Sequence, residues 1–194
     1  MVKIIQIGNP ILEKKSKKVR DIKSQINQKI INDLVDTCKK KDKSTVGLAA
    51  PQIGKNLRKF TARRLDIEEE YRKKRKEMPK KKKQNIWDVI VNPKIIKLGK
   101  KKEIFWEGCL SIEKGKIYGP VERPSFVKIE YLDKEGNKKL LSAVGFFAHL
   151  LQHEIDHLDG ILFVKHIKNP DNLWKSSKLD KFLKEHGKYP EIVN

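Results

Sequence analysis

A pair of histidines near the end of the chain is the feature of the sequence best suited to chemistry. In "LLQHEIDHLDG", residues 150–160, His153 and His157 stand four positions apart, and Glu154 follows the first of them. On an α-helix, positions i and i+4 lie on the same face, so both imidazoles can reach one metal ion. The neighbouring residues are mostly apolar, and a buried imidazole or carboxylate needs a partner, which a metal ion supplies. The segment therefore predicts a metal site on a helix.

The His-Glu-x-x-His pattern leaves the third ligand and the reaction open. Metzincin proteases extend it with Gly160 in place, but Phe163 occupies the position of their third histidine, and His166 comes three residues too late. That extension is therefore excluded. A thermolysin-like arrangement with a more distant glutamate stays open, and so does a helix with two ordinary histidines. Cys109, which follows a strand-like segment in "WEGCLS", is another candidate ligand.

The composition of the chain limits its class and compartment. Its 194 residues, 38% hydrophobic and 36% charged, suit one domain with a core, which we expect to span residues 1–194. No segment approaches the roughly 20 apolar residues that a membrane helix needs. The N-terminus lacks a signal-peptide pattern, and two cysteines make no disulfide framework. We therefore expect a cytosolic protein without a membrane partner.

The strong positive charge has two interpretations. The formal net charge is +20, from 45 basic and 25 acidic residues, which favours association with polyanions or simply keeps the protein in solution. Lysines are spread along much of the chain, and residues 58–83, with 13 basic and 5 acidic residues, contain most of a basic insertion at about 64–84 that includes "KKRKEMPKKKK". This segment lacks interleaved aromatic residues and any known binding motif, so we expect no sequence-specific nucleic-acid binding. An electrostatic contact with ribosomes is the hypothesis for its role.

Periodicity predicts the elements that surround the histidine pair. Apolar residues recur at helical spacing from Ile22 through Ile26 to Cys38, and a second helix is predicted from about Gly145 to Leu158. A short C-terminal helix is expected at about 176–187. Strands are predicted at residues 2–7 and in "WDVIVNP", "KEIFW", "SFVKIEYLD" and "KKLLSAV", the last two joined by a "DKEGN" turn. The predicted fold is α+β, with mostly antiparallel sheets packed around a central helix carrying HEIDH.

Three motifs occur together in a familiar order: "GLAAPQ", "WEGCLS" and "QHEIDHLDG". With them, the sequence resembles the peptide deformylase family, metallohydrolases that remove the formyl group from the initiator methionine of nascent chains. The start "IGNPILEKKSKKV", the turn "YGPVERPS" and the run "GILFVKHI" are also similar to that family. The resemblance extends from about Ile4 to Ile167.

The resemblance implies a metal site with three protein ligands. These are Cys109, His153 and His157, and three ligands with an open position are typical of a catalytic site. The family implies one divalent ion per chain, Fe²⁺ in the first place, with Zn²⁺, Ni²⁺ or Co²⁺ able to occupy the site in a purified sample. Ligand identity alone does not decide between these metals.

The resemblance also implies the catalytic groups. Glu154 is expected to transfer the proton of the attacking water to the leaving amine. The side-chain amide of Gln52 and the backbone N–H of Leu110 are expected to stabilise the charge that develops on the formyl oxygen. The expected substrate is an N-formyl-methionyl nascent peptide, and formate is released. The positions implied for peptide binding are Val46, Gly47, Glu107, Gly108, Phe146 and Leu150.

Three departures from the family pattern concern the substrate cleft. Thr45 stands where the family has glycine, which predicts strain if that position needs a positive φ. His149 stands where many relatives have arginine, and the loop after Ile112 is longer and lacks the family's proline. Two other functions remain open. One is a different metal-dependent amidase or peptidase on the same scaffold, and the other is a nucleic-acid-binding protein with a structural metal site.

Overall fold

The computed structural model describes residues 2–41, 45–79 and 86–193, so residues 80–84 of the predicted basic insertion lie outside the described residues. Within the described ranges there are four α-helices and eight strands. The helices are α1 (Gln25–Lys40), α2 (Leu65–Lys73), α3 (Gly145–Asp159) and α4 (Ser176–His186). The strands are β1 (Gly47–Ala49), β2 (Lys59–Arg63), β3 (Trp87–Leu98), β4 (Lys102–Gly108), β5 (Ile117–Pro124), β6 (Phe126–Leu132), β7 (Lys138–Val144) and β8 (Trp174–Lys175).

The strands form a larger and a smaller sheet. Among the described residues, the larger sheet has five strands in the order β1-β2-β3-β6-β7, and the smaller has three in the order β4-β5-β8. Neighbouring strands in both sheets are antiparallel. The predicted α+β class with antiparallel sheets is confirmed. Helix α3 contacts strands of both sheets, so it lies where the two meet.

Helix α3 is buried on nearly every side. Its apolar residues Phe147, Leu151, Ile155 and Leu158 are at most 4% exposed and pack in one cluster with residues of the larger sheet. The helix ends where Gly160 adopts a left-handed conformation with φ 76°. Because apolar contacts fix the helix, the polar residues on its remaining face are held inside the protein as well.

The first predicted helix begins later than its apolar pattern. Helix α1 starts at Gln25 because Ser24 caps it, its hydroxyl accepting a hydrogen bond from the Asn27 N–H. Ile22 is buried before the helix begins. Ile26 belongs to the apolar pattern but does not pack on the core, since its side chain is 75% exposed.

Two predictions of local structure were wrong. Residues 2–7 form no sheet strand, because this extended segment bonds to loops: the Ile5 N–H donates to the Gln52 carbonyl and the Ile7 N–H to that of Ser111. The supposed turn "YGPVERPS" lies largely in strand β5, which pairs with β4 along its length. On its other side, among the described residues, β5 pairs with β8 only at Ile117 and Tyr118. Pro120 and Pro124 lie beyond this pairing, so a backbone N–H donor is not needed there.

The described part of the basic insertion contains the polar helix α2. None of its residues is buried, and its carboxylates pair with cations one turn away, as in Glu69 with Lys73 and Glu70 with Lys74. Arg64 anchors its start through Asp66 and Asp88, at 2.7 and 3.0 Å. Of the helices described, α2 and the others alike are too short or too polar to cross a membrane.

Candidate active site

The structure brings the three expected metal ligands together. The ligand atoms of Cys109, His153 and His157 all lie within 4.8 Å of one another, and Cys109 Sγ is 3.2 Å from His157 Nε2. Helix α3 presents the two histidines one turn apart, and Cys109 follows strand β4. All three side chains are nearly inaccessible to solvent. One thiolate and two imidazoles suit a divalent transition metal, so the donor set fits the ion implied by the resemblance.

Glu107 fixes the orientation of the first histidine. Its Oε2 is 2.7 Å from His153 Nδ1, which leaves Nε2 as the nitrogen available to a metal. The carboxylate also accepts hydrogen bonds from Arg123 at 2.7 and 3.3 Å, and its Oε1 contacts His149 Nε2. The expected role of Glu107 in peptide binding can therefore concern only its backbone, because its side chain lies beneath the site.

Arg123 extends this network to the surface. Its guanidinium joins Glu107 to Asp156, which it contacts at 2.6 Å, and Asp156 accepts from His166 at 2.8 Å. The side chain of Arg123 is 6% exposed, so its charge is shielded from water and neutralised by the two carboxylates. His153 is thus held by a chain of ion pairs that runs through Glu107, Arg123 and Asp156 to His166 at the surface.

The surroundings shift the pKa values of the two histidines in opposite directions. Burial alone would lower the pKa of His153, but the Glu107 carboxylate and the Cys109 sulfur raise it well above its usual range. Burial and the neighbouring His153 hold the pKa of His157 well below its usual range, so His157 is neutral. Within the described residues, His157 Nδ1 is buried without a hydrogen-bond partner. A neutral imidazole with its Nε2 on a cysteine sulfur is ready to bind a metal.

Glu154 is buried beside the three expected metal ligands. Its side chain is 3% exposed, and its Oε2 has no hydrogen-bond partner among the described residues. Burial raises its pKa to about 7. Gly47 makes room for this carboxylate, since a Cβ at position 47 would overlap Glu154 Oε1. A carboxylate with such a pKa can accept and return a proton near neutral pH.

Gln52 is held with its amide N–H groups toward the ligands. The Ala49 N–H donates to Gln52 Oε1 at 2.8 Å, which fixes the orientation of the amide. Gln52 Nε2 then donates to Cys109 Sγ at 3.3 Å and to Ser111 Oγ at 3.2 Å. The peptide group that contains the Leu110 N–H is also fixed, because its oxygen, Cys109 O, accepts from the Ile112 N–H at 2.9 Å.

A cleft of about 360 Å³ opens onto these groups. Eleven of the twelve expected site residues line it: Val46, Gly47, Gln52, Glu107, Gly108, Cys109, Leu110, Phe146, Leu150, His153 and Glu154. His157 lies below them, 1% exposed, and reaches the group through Cys109. Phe146 is 44% exposed and forms the rim, where it packs edge-on against Phe105. A larger cavity near α2 contains none of the expected site residues.

Two of the departures from the family pattern, Thr45 and the loop after Ile112, lie at the edge of the cleft. The φ angle of Thr45 includes an atom of residue 44, which lies outside the described residues, so the strain expected at Thr45 stays a prediction. The buried Thr45 hydroxyl has no partner among the described residues. The loop after Ile112 does contain unusual backbone: Glu113, Lys114 and Gly115 have φ of 47°, 56° and 83°. Gln6 supports this turn, its Oε1 accepting from the Lys114 N–H at 3.0 Å.

Sequence reasoning missed Arg123 and Asp156 as parts of the site. The alternation of β5 was the available signal, because Gly119, Val121 and Arg123 are all buried and so share its inner face. The interpretation of "YGPVERPS" as a turn left this alternation unnoticed. Asp156, between the two histidines in sequence, gave no comparable signal, since a carboxylate on a helix is most often solvated.

Comparison with known proteins agrees with this geometry. The family model described as polypeptide deformylase matches residues 1–173. A peptide deformylase of Dehalococcoides mccartyi is 34% identical over 183 residues, covering 94% of this chain and 96% of its own. The crystal structure of the Thermotoga maritima peptide deformylase superposes with a TM-score of 0.71 at 29% identity, over 87% of this chain and 99% of the other. That of Synechococcus elongatus, in complex with actinonin, gives 0.68 at 30% identity over 96% and 86%. The chain belongs to the peptide deformylase family.

Proposed function

We propose that this chain hydrolyses the N-formyl group from the initiator methionine of nascent polypeptides and releases formate. The observation that carries the proposal is the Glu154 carboxylate, which is buried next to the Cys109, His153 and His157 cluster and whose Oε2 has no partner among the described residues. A buried carboxylate with a free oxygen is costly unless it has a task. Proton transfer in amide hydrolysis is a task that fits its position.

The cluster would hold one divalent metal ion through Cys109 Sγ and the two imidazoles. When bound, such an ion lowers the pKa of a coordinated water and polarises a carbonyl oxygen. The neutral state of His157 and the Glu107 contact to His153 Nδ1 prepare both rings for this role. Fe²⁺ is the ion proposed for the cell, whereas Zn²⁺, Ni²⁺ or Co²⁺ can occupy the site in a purified sample.

Glu154 would act as the general base and then as the general acid. With a pKa near 7, it can take a proton from the attacking water and pass it to the nitrogen of the leaving methionine. The same carboxylate serves both steps because it makes no fixed hydrogen bond through Oε2 among the described residues. Gly47 leaves the space that this carboxylate occupies.

Gln52 and Leu110 would stabilise the negative charge on the formyl oxygen. The Gln52 amide already directs its N–H groups at Cys109 and Ser111, and the oxygen bound by Ala49 keeps it from flipping. Donors that are fixed before the reaction lower the barrier more than donors that must reorient. The Leu110 N–H follows Cys109 directly and belongs to a peptide group already held in place.

The peptide would bind in extended form along the cleft. Its backbone would pass Val46, Gly47 and the Glu107–Gly108 segment, and its methionine side chain would lie against Phe146 and Leu150. Leu150 is 5% exposed and Phe146 forms the half-open rim, which together suit a long, unbranched apolar side chain.

Release of formate tests the function directly. Protein purified without oxygen should release formate from formyl-Met-Ala, whereas acetyl-Met-Ala, which differs by one methyl group, should react far more slowly. Cleavage of the Met-Ala bond instead would indicate another amidase or peptidase on this scaffold. If protein with one metal ion per chain hydrolyses neither the formyl amide nor the Met-Ala bond of formyl-Met-Ala, the proposal is wrong.

We also propose that the protein works in the cytosol, as one domain, and that cations of α2 contact ribosomes. The motivating observation is that Arg72, Lys73 and Lys74 are more than half exposed at the end of this helix. Changing all three to Gln should weaken co-sedimentation with ribosomes at low salt and leave peptide turnover unchanged. The matched control changes the exposed Lys100, Lys101 and Lys102. Equal losses in both variants would mean that the contact depends on net charge alone. That result would reject a specific role for α2.

A further inference from the structure

One wall of the cleft belongs to the outer face of the smaller sheet. Directly opposite residues of paired strands point to the same face, and the register pairs Gly108 with Tyr118 and Tyr118 with Trp174. Trp106 lies two residues before Gly108 on β4, so it shares that face. Trp106 and Tyr118 both line the cleft. An aromatic surface thus continues from the site onto the outside of the sheet.

Gly108 brings Tyr118 close to the reacting groups. A Cβ at position 108 would lie 2.6 Å from the Tyr118 ring, so the ring rests directly on the β4 backbone one residue before Cys109. Along an extended strand, residues advance by about 3.3 Å, which puts Trp106 roughly 10 Å from Cys109. That distance corresponds to about three residues of an extended peptide.

The C-terminal tail, residues 187–193, packs against the outer side of Trp106. Tyr189 stacks on the indole with ring centroids 5.4 Å apart and planes 12° from parallel, and Trp174 meets it edge-on at 6.3 Å. Pro190, the next residue of the tail, is buried. Trp106 is therefore held between the cleft on one side and the tail on the other.

Asn172 fixes the course of the tail. Its Nδ2 donates to the Val193 carbonyl, and its Oδ1 accepts from the Val193 N–H, both at 2.8 Å. Asn172 is 5% exposed, so these two bonds are shielded from water and reproduce the pairing of a sheet. The tail consequently crosses the smaller sheet along a defined path and does not hang free.

The tail lies beyond the part of the chain that matches the family model, which ends at residue 173. We propose that Trp106, positioned by Tyr189 and the tail, contacts the second and third residues after the formyl-methionine and so sets the affinity for longer substrates. The proposal rests on the deformylase activity proposed above. It assigns Trp106 to substrate binding and Tyr189 to positioning, since Tyr189 does not line the cleft.

Comparing two substrate lengths in a small set of variants tests this assignment. For formyl-Met-Ala-Ser-Leu relative to formyl-Met-Ala, the ratio of kcat/KM should fall about 3- to 10-fold in Tyr189→Ala, the range expected for loss of one aromatic contact. The loss should appear in KM for the longer peptide. Tyr189→Phe keeps the stacked ring and should restore the ratio, and Trp106→Leu should lower it at least as far.

The matched control is Ile192→Ala, which trims an exposed side chain of the same tail, 41% accessible, and should keep the wild-type ratio. Turnover is normalised to bound metal in every variant, so that partial unfolding does not enter the ratio. Wild-type release of formate from formyl-Met-Ala tests the proposed function separately, because that substrate ends before Trp106. An unchanged ratio in both Tyr189→Ala and Trp106→Leu would overturn the role of the tail and leave the deformylase activity standing.

Discussion

Two groups of ion pairs in this protein have similar distances and different surroundings. Beneath the site, Arg123 contacts Glu107 at 2.7 Å and Asp156 at 2.6 Å, with side-chain exposures of 5 to 19%. On α2, Lys74 contacts Glu70 at 2.6 Å with both side chains more than half exposed. Distance alone does not distinguish the two groups, whereas access to water does.

The difference determines what each pair can contribute. Water replaces a lost partner on α2, so a surface pair contributes little to the free energy of unfolding. Beneath the site no water replaces it, and removing one member deprives a buried charge of one of its partners. Because the buried group ends on His153, its loss should also disturb metal binding. The charges of α2 therefore contribute little to folding, whereas those beneath the site support His153.

The largest effect is expected for Cys109, the expected metal ligand that lies beside His153, where the buried ion pairs end. Cys109→Ala should lose most formate-releasing activity and bind metal weakly, because two imidazoles alone hold a divalent ion poorly. Cys109→Asp should retain metal with a preference shifted toward harder ions. Metal analysis and formate release on the same samples check both variants. Full activity in Cys109→Ala would remove Cys109 from the ligand set.

Breaking the buried ion pairs should come next. Arg123→Met fills much of the same volume without charge and removes the cation that Glu107 and Asp156 share. We expect the free energy of unfolding to fall by about 3–5 kcal/mol and metal affinity by about 10- to 100-fold. Urea denaturation and metal titration measure the two effects. A loss below about 1 kcal/mol would mean that water reaches this network.

A buried lysine sharpens the comparison, because its partner is neutral. Lys59 is 0% exposed, its Nζ donates to Asn27 Oδ1 at 2.6 Å, and burial lowers its pKa to about 8. The folded state therefore gives up this proton before the unfolded state does, so its cost to stability is present below pH 8 and is relieved as the pH rises toward 10.5. Relative to Lys59→Met, the wild type should gain about 2 kcal/mol between pH 7 and 10 in chemical denaturation. A constant difference across that range would contradict the assignment.

The smallest effect is expected on α2. Glu70→Gln removes the pair with Lys74 and should change the free energy of unfolding by less than about 0.5 kcal/mol, with turnover unaffected. Thermal melting at low and high salt measures it. A loss as large as that of Arg123→Met would abolish the distinction between the two groups.

The sequence predicted the inner part of the site better than its support. The i, i+4 histidines and the three ordered motifs were sufficient to predict that Cys109, His153, His157, Glu154 and Gln52 lie close together, because each of these residues belongs to a short local motif. Arg123 and Tyr189 contact residues that are distant in sequence, and pairing between β4 and β5 or the path of the tail decides their positions. Prolines in β5 also resembled a turn, although an open strand edge accepts them.

Glu154→Gln tests the central claim most directly, since the substitution keeps the shape of the side chain and removes its basicity. The surface variant Glu122→Gln, at a carboxylate 53% exposed, is the matched control and should behave as the wild type. We predict that Glu154→Gln binds one metal ion as the wild type does and still binds formyl-Met-Ala, while turnover falls by at least about 10²-fold. Loss of the metal with unchanged activity per bound ion would show that Glu154 supports the ligands and does not transfer the proton.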